Sequence, residues 1–395
     1  MRLLAVTTLV TTFGSGLFYT TSALFFTRIV GLSVAQVGVG LTIAGLCGVL
    51  AGMPFGSLAD RRGARRLLVV LLVLEGLATL AFVAVDSFAA FVLVASAAAA
   101  CDRGGSTVRN ALIALAVPEG ERVRGRALLR SLTNVGIGCG TAVAALALHY
   151  DSRPAYVTLI VADVCAFMVA AALLTRLPRA TADATAPRVD GGPRLLALRD
   201  RPYLAVTALF AVVSFQFGIF EIGLPIWVVE HTSAPRTVVA AALLVNTVLI
   251  VCLQVRASRG TEEAAGAARA CAWSGLLLGG ACVLYAAAAE LPALGAVGLL
   301  LIAVVVQTGG ELLSSAGGWG LSYALARPEA PGQYQGVFNS GFAAAIMLSP
   351  LVVTLLPLTL GWTGWVVLGA MLAVSVAALV PVTRWAESTR ATVPA

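Results

Sequence analysis

The chain has 395 residues, of which 59% are apolar and only 11% charged, against about 25% charged in a typical soluble domain. One hydrophobic core cannot absorb that much apolar surface, which excludes a soluble globular protein, and such hydrophobicity also excludes a disordered one. The formal charge of +7 comes from 26 basic residues, every one of them Arg, and with the abundant Ala, Gly and Val this reads as the codon bias of a GC-rich bacterial gene.

A membrane-spanning helix needs roughly 20 apolar residues. In chain order, spans are predicted over 4–28, 34–57, 67–85, 88–112, 126–148, 156–177, 203–228, 235–255, 269–289, 291–316, 336–358 and 362–383. The first run has no small-residue cleavage site and is followed at once by a second, so it is expected to be a retained helix. The segment 178–202, rich in Pro, Ala, Arg and Asp, divides the spans six and six and is expected to be a linker too polar for a domain. The expected organisation is an all-α membrane protein of twelve transmembrane helices: a first lobe over 1–177, the linker over 178–202 and a second lobe over 203–395.

Arg61, Arg62, Arg65, Arg66, Arg122, Arg124, the run from Arg176 to Arg201, Arg256, Arg259 and Arg327 fall between spans on one side, whereas Arg28, Arg153 and Arg236 fall on the other. The excess of positive charge predicts both termini in the cytoplasm of a multi-pass protein of the bacterial inner membrane. The expected surroundings are therefore the lipid bilayer, with no nucleic acid partner. All seven Cys lie in apolar segments without CxxC or Cys/His spacing, so neither disulfides nor a metal site is expected.

The halves resemble each other. Gly16-Leu17-Phe18-Tyr19 matches Gly218-Ile219-Phe220-Glu221 at an offset of 202, and Pro118-Glu119 matches Pro328-Glu329 at an offset of 210. A duplicated six-span unit forms a two-lobed carrier whose site lies between the lobes near the midplane.

Between the second and third spans stands Gly56-Ser57-Leu58-Ala59-Asp60-Arg61-Arg62-Gly63-Ala64-Arg65-Arg66. This resembles the signature loop of the major facilitator superfamily. Gly56 permits close packing, Gly63 makes the tight turn, and Arg61, Arg65 and Arg66 hold the loop at an anionic membrane surface. The resemblance implies a gating loop in which Asp60 engages the start of the eleventh helix near Gly336. The counterpart between spans eight and nine keeps Arg256, Arg259, Glu262 and Glu263 but not the glycines. Gly136-x-x-x-Gly140-Thr141 in the fifth span resembles the family's glycine-rich antiporter motif with Thr in place of Pro; it reads equally as a small-residue packing face.

Ionisable groups at bilayer depth cost on the order of 2.5–3.5 kcal/mol each, which makes them functional candidates. The resemblance places spans one, four, seven and ten around the transport cavity and so favours Asp102, Arg103, Glu221 and Glu311 as proton or substrate sites. Tyr19, Glu75, Arg109, Arg130, Asn134, Asp163 and Gln307 are weaker candidates. Asp102, Ser106 and Arg109 share one helical face, Arg103, Thr107 and Asn110 another, and Gln307, Glu311 and Ser315 form a polar stripe. Trp227 is expected in the outer aromatic belt.

Without Lys no ATP-binding P-loop is possible, so the expected energy source is an ion gradient, with protons favoured and no cofactor. No span contains His, and HExxH, GxSxG and DxxD patterns are absent, which argues against an intramembrane enzyme. The expectation is a secondary transporter, acting as a monomer, that exports a drug-like or amphipathic small molecule by proton antiport. Proton-coupled uptake is the alternative, and a non-transporting sensor or lipid flippase the reading from a different class.

Overall fold

The computed structural model describes residues 1–148, 152–177 and 195–391. Among them every regular element is helical. Eleven helices are long and apolar enough to cross a membrane: α1 (Arg2–Ile29), α2 (Val34–Arg62), α3 (Ala64–Ala84), α4 (Phe88–Ala116), α6 (Arg153–Leu174), α7 (Arg201–His231), α8 (Thr237–Ala257), α9 (Ala264–Glu290), α10 (Ala293–Ala324), α11 (Pro331–Leu358) and α12 (Trp362–Arg390). The remaining expected span coincides with α5 (Arg122–Leu148).

Several helices outrun the apolar stretches that announced them, because backbone hydrogen bonding continues where side chains turn polar. The expected gating loop is therefore mostly helix. Gly56, Asp60 and Arg61 lie in the last turns of α2, and only Gly63, at φ 88°, breaks the chain before α3. That left-handed conformation suits Gly alone. Helix α11 starts at Pro331, more than a turn before the expected 336, since Pro is well placed in a first helical turn. Helix α7 starts at Arg201, because Asp200 accepts a hydrogen bond from the Tyr203 N–H at 3.1 Å and caps it. Residues 178–194 of the expected linker lie outside the described residues, and the rest includes a short helical turn, Leu196–Arg199.

Two compact units emerge. The first comprises Met1–Pro118, Leu128–Leu196 and Arg327–Ser340; the second comprises Glu119–Ala127, Ala197–Ala326 and Gly341–Ala395. In the first, α2 packs on α4, α1 on α6, and α3 on both α4 and α6. In the second, α8 packs on α10, α7 on α12, and α9 on both α10 and α12. Each pairing in one unit has its counterpart six helices later, as a duplicated unit requires. The exchange at the two borders is also reciprocal: the first turns of α5 belong to the second unit and the first turns of α11 to the first.

Helix α7 is irregular. A 3-10 turn at Ser214–Gln216 and a π turn at Ile219–Gly223 precede Pro225. The proline cannot donate a hydrogen bond to the fourth residue before it, and the π turn absorbs that defect where Glu221 sits.

Candidate functional site

The signature segment builds its geometry from small residues. Gly52 and Gly56 on α2 meet Gly332 and Gly336 on α11, both pairs spaced by four. A Cβ on Gly56 would strike the carbonyl oxygen of Gly332, and one on Gly332 the carbonyl of Gly56. This close crossing seats the Asp60 carboxylate on the N-terminus of α11. Its Oδ1 accepts from the Gly332 N–H at 2.6 Å and its Oδ2 from the Gln333 N–H at 2.9 Å. A buried carboxylate on two otherwise orphaned helix N–H groups is a charge-assisted clamp. The contact expected near Gly336 thus falls one turn earlier, where α11 actually begins. Ser340 adds a hydrogen bond to the Val49 carbonyl at 2.7 Å, and Asn339 donates to Thr107 at 3.0 Å and to the Arg103 carbonyl at 3.4 Å.

The arginines of this segment divide. Arg65 is buried and donates to the carbonyl oxygens of Leu174, at 3.0 Å, and Thr175, so it ties α3 to the end of α6. Arg61, Arg62 and Arg66 are exposed.

Within the first unit the charged candidates converge. Asp102 and Arg103, neighbours on α4, form an ion pair at 3.5 Å with both side chains 42% exposed. Glu75 on α3 interacts electrostatically with Asp102, Arg109 and Asp163. Tyr19 on α1 interacts first with Asp102, and also with Glu75, Arg103 and Asp163. Asp163 is 1% exposed, lies against Gly14 of α1, and its Oδ1 has no hydrogen-bond partner among the described residues. Glu75 thus lies in the field of Arg109, of Asp102 with its partner Arg103, and of Asp163. Such a cluster can hold a proton or another cation. Glu75 and Asp163, weaker candidates from the sequence, belong to it as fully as Asp102 does.

The second unit is built differently. Glu311 on α10 is buried, and its Oε2 accepts from Asn246 Nδ2 of α8 at 3.1 Å; the same amide donates to Thr308 at 3.1 Å. Beside it, Gln307 accepts from the Tyr285 hydroxyl at 2.6 Å and donates to the Gln216 carbonyl at 3.4 Å. Gln216 in turn donates to Ser314 at 2.8 Å. Trp227 is not in an aromatic belt: it is buried, and its indole N–H donates to the Tyr285 carbonyl at 2.8 Å. A polar indole end can be buried because a carbonyl receives it.

Glu221 stands apart. It is exposed on α7, as is Tyr19 at the repeat-equivalent position of α1. Arg130 and Asn134 are half-buried on α5 and Arg109 is half-buried on α4. The glycine-rich face of α5 lies against α1: a Cβ on Gly140 would strike the Phe13 carbonyl, and Thr20 donates to Thr141 at 3.1 Å. Of the expected polar groupings, Thr107 gains a partner in Asn339, whereas Asn246, Gln216 and Tyr285 went unremarked in the sequence. Their signal was present, since a lone amide in an apolar span needs a partner. At the start of α5, Arg126 stacks over the Trp319 ring at 4.3 Å, a cation–π contact inside the second unit.

The family model described as Major Facilitator Superfamily matches residues 4–350. Among solved structures, a bacterial homologue of the iron transporter ferroportin in an outward-facing state is similar, with 15% identity over 98% of this chain and 99% of that one and a TM-score of 0.79. FucP, a major facilitator superfamily transporter in the outward conformation, shares 15% identity over 98% of both chains, with a TM-score of 0.76. The human organic anion transporter MFSD10 shares 14% identity over 96% of this chain and 98% of that one, with a TM-score of 0.71. At such identities the likeness is one of fold. No curated protein matches the chain.

Proposed function

The chain belongs to the major facilitator superfamily, a family of secondary transporters and not of enzymes, and on that premise we propose that it exports a small amphipathic molecule in exchange for protons. The observation that carries this reading is the gathering of Glu75, Asp102 and Asp163 with Arg103 and Arg109 inside the spans of the first unit. Arginine does not release its proton, so the proton is exchanged among the carboxylates. Asp60 and the glycine crossing are the latch that one conformation of the alternating-access cycle closes.

Tyr19 and Glu221 are the proposed substrate contacts. Both are exposed at repeat-equivalent positions. A carboxylate exposed to hydrocarbon would cost on the order of 2.5–3.5 kcal/mol, so exposure of Glu221 supports a water-reachable face. A carboxylate and a phenol each favour substrates that are cationic and aromatic. In this reading α5 is the twelfth span, the Arg-rich ends face the cytoplasm and the protein works as a monomer in the bacterial inner membrane. Proton-coupled uptake remains the second reading, favoured by Thr141 where the antiporter motif carries Pro.

The test is ethidium accumulation in cells that lack their own exporters. Expression of the chain should lower intracellular ethidium, and a protonophore should restore it. Unchanged accumulation, together with unchanged susceptibility to a panel of amphipathic cations, would remove export of this substrate class. Ethidium driven into right-side-out vesicles by acidifying the outside would replace export by uptake.

A further inference from the structure

Asp163 of α6 is walled in by the backbone of another helix. It is 1% exposed, and its Oδ1 has no hydrogen-bond partner among the described residues. Against that oxygen stands Gly14 of α1. A Cβ on Gly14 would strike Asp163 Oδ1, and would also lie 2.9 Å from the Ala166 Cβ and 3.2 Å from the Asp163 Cα. The last two atoms are fixed parts of α6. Turning the carboxyl group aside therefore makes no room, and a side chain at position 14 has to push α1 and α6 apart. Gly14 thus sets the spacing of the two helices at the level of Asp163. Two residues on, Gly16 makes a contact of similar tightness with a different helix: a Cβ there would lie 2.5 Å from the Ile137 carbonyl oxygen and 3.1 Å from the Gly140 Cα of α5. Glu75 of α3 and Tyr19 of α1 interact electrostatically with Asp163, and Asp102, Arg103 and Arg109 of α4 act on those two.

We propose that Gly14 is the positioning residue for Asp163: it lets the α1 backbone close over the carboxyl group, so that Asp163 trades its proton with water only when α1 moves off α6. This rests on the reading of Asp163 as one of the proton-exchanging carboxylates. It adds that the proton's access is set by α1. Tyr19, the proposed substrate contact, is on the same helix, so a substrate held there and the seal over Asp163 move together.

The experiment is infrared spectroscopy of the purified full-length chain in lipid at mildly acidic pH. The carboxyl C=O band of Asp163 is identified as the one lost in Asp163→Asn. In heavy water the parent band should shift slowly as the carboxyl proton is replaced. Gly14→Ala should speed that exchange by roughly tenfold or more, because parted helices open to water at lower cost. Gly16→Ala, a clash of similar size directed at α5, should leave the band and its exchange as in the parent even where it lowers the melting temperature. Gly14→Ala/Ala166→Gly, which moves the glycine to the other helix, should slow exchange again. Exchange in the parent that is complete on mixing would overturn the proposal without any variant, and so would equal effects of Gly14→Ala and Gly16→Ala. Absence of an Asp163 carboxyl band would overturn both the seal and the place of Asp163 in the proton reading. A parent with the slow band but no ethidium export would fail the export reading alone and leave the seal standing.

Discussion

The two units share one packing scheme but hold their polar groups by different means. In the first, ionisable side chains gather inside the spans, with Glu75 in the field of Asp102, Arg109 and Asp163 and Arg103 paired with Asp102, and Asp60 grips the N–H groups of α11. In the second, amides, hydroxyls and rings surround the buried Glu311 carboxylate: Asn246 on Glu311, Tyr285 on Gln307, Gln216 on Ser314 and Arg126 on Trp319. The same helix pairings thus carry two different kinds of polar contact. Ionic groups can change charge as a cycle proceeds, while neutral amides hold geometry without doing so. On the function proposed above, coupling would fall to the first unit and shape to the second.

That contrast can be broken by experiment, and the largest effect should come from the clamp. Asp60→Ala leaves two buried helix N–H groups without an acceptor, a loss of about 1.5–3 kcal/mol per charged hydrogen bond. Thermal melting in detergent should fall clearly and ethidium export should be lost, whereas Asp60→Asn, which keeps one acceptor, should lie between. Full export by Asp60→Ala would show that the contact does not serve the cycle. Next in size, Asp163→Asn and Asp102→Asn should abolish dependence of transport on a pH gradient while leaving the melting temperature close to that of the parent.

Smaller effects should follow from the second unit. Trp319→Leu removes a cation–π contact of about 0.5–2 kcal/mol at the start of α5, and slower transport with unaltered response to pH is the expected readout. Glu311→Gln should be milder still, below about 1 kcal/mol in stability, because a side-chain amide oxygen still accepts from Asn246. If Glu311→Gln uncoupled transport while Asp163→Asn did not, the division between the units would be reversed.

Much of this was legible in the sequence, for identifiable reasons. Hydropathy gave the spans, because a bilayer demands a fixed length of apolar helix. The Asp60 segment resembles the family signature closely enough to imply its partner, and the error of one turn came from judging the start of α11 by hydropathy when Pro331 begins it. Helix rotation was not legible. Asn246 sits among Val and Thr with nothing to say which neighbour it meets, and Asp163 ranks only as a weaker candidate because its span is not one that the resemblance places around the cavity. Only packing against Gly14 and the field of Glu75 place Asp163 with Asp102. Trp227 misled for the same reason: an indole near a span end serves an interfacial belt or a buried carbonyl equally well until its neighbours are known.

The most direct test is ethidium flux in proteoliposomes under an imposed pH gradient, with the parent beside the Asp102→Asn/Asp163→Asn double variant and Glu311→Gln. The parent and Glu311→Gln should respond to the gradient, and the double variant should carry ethidium down its own gradient while ignoring that of protons. A double variant still driven by protons, beside a Glu311→Gln protein that is not, would contradict the account.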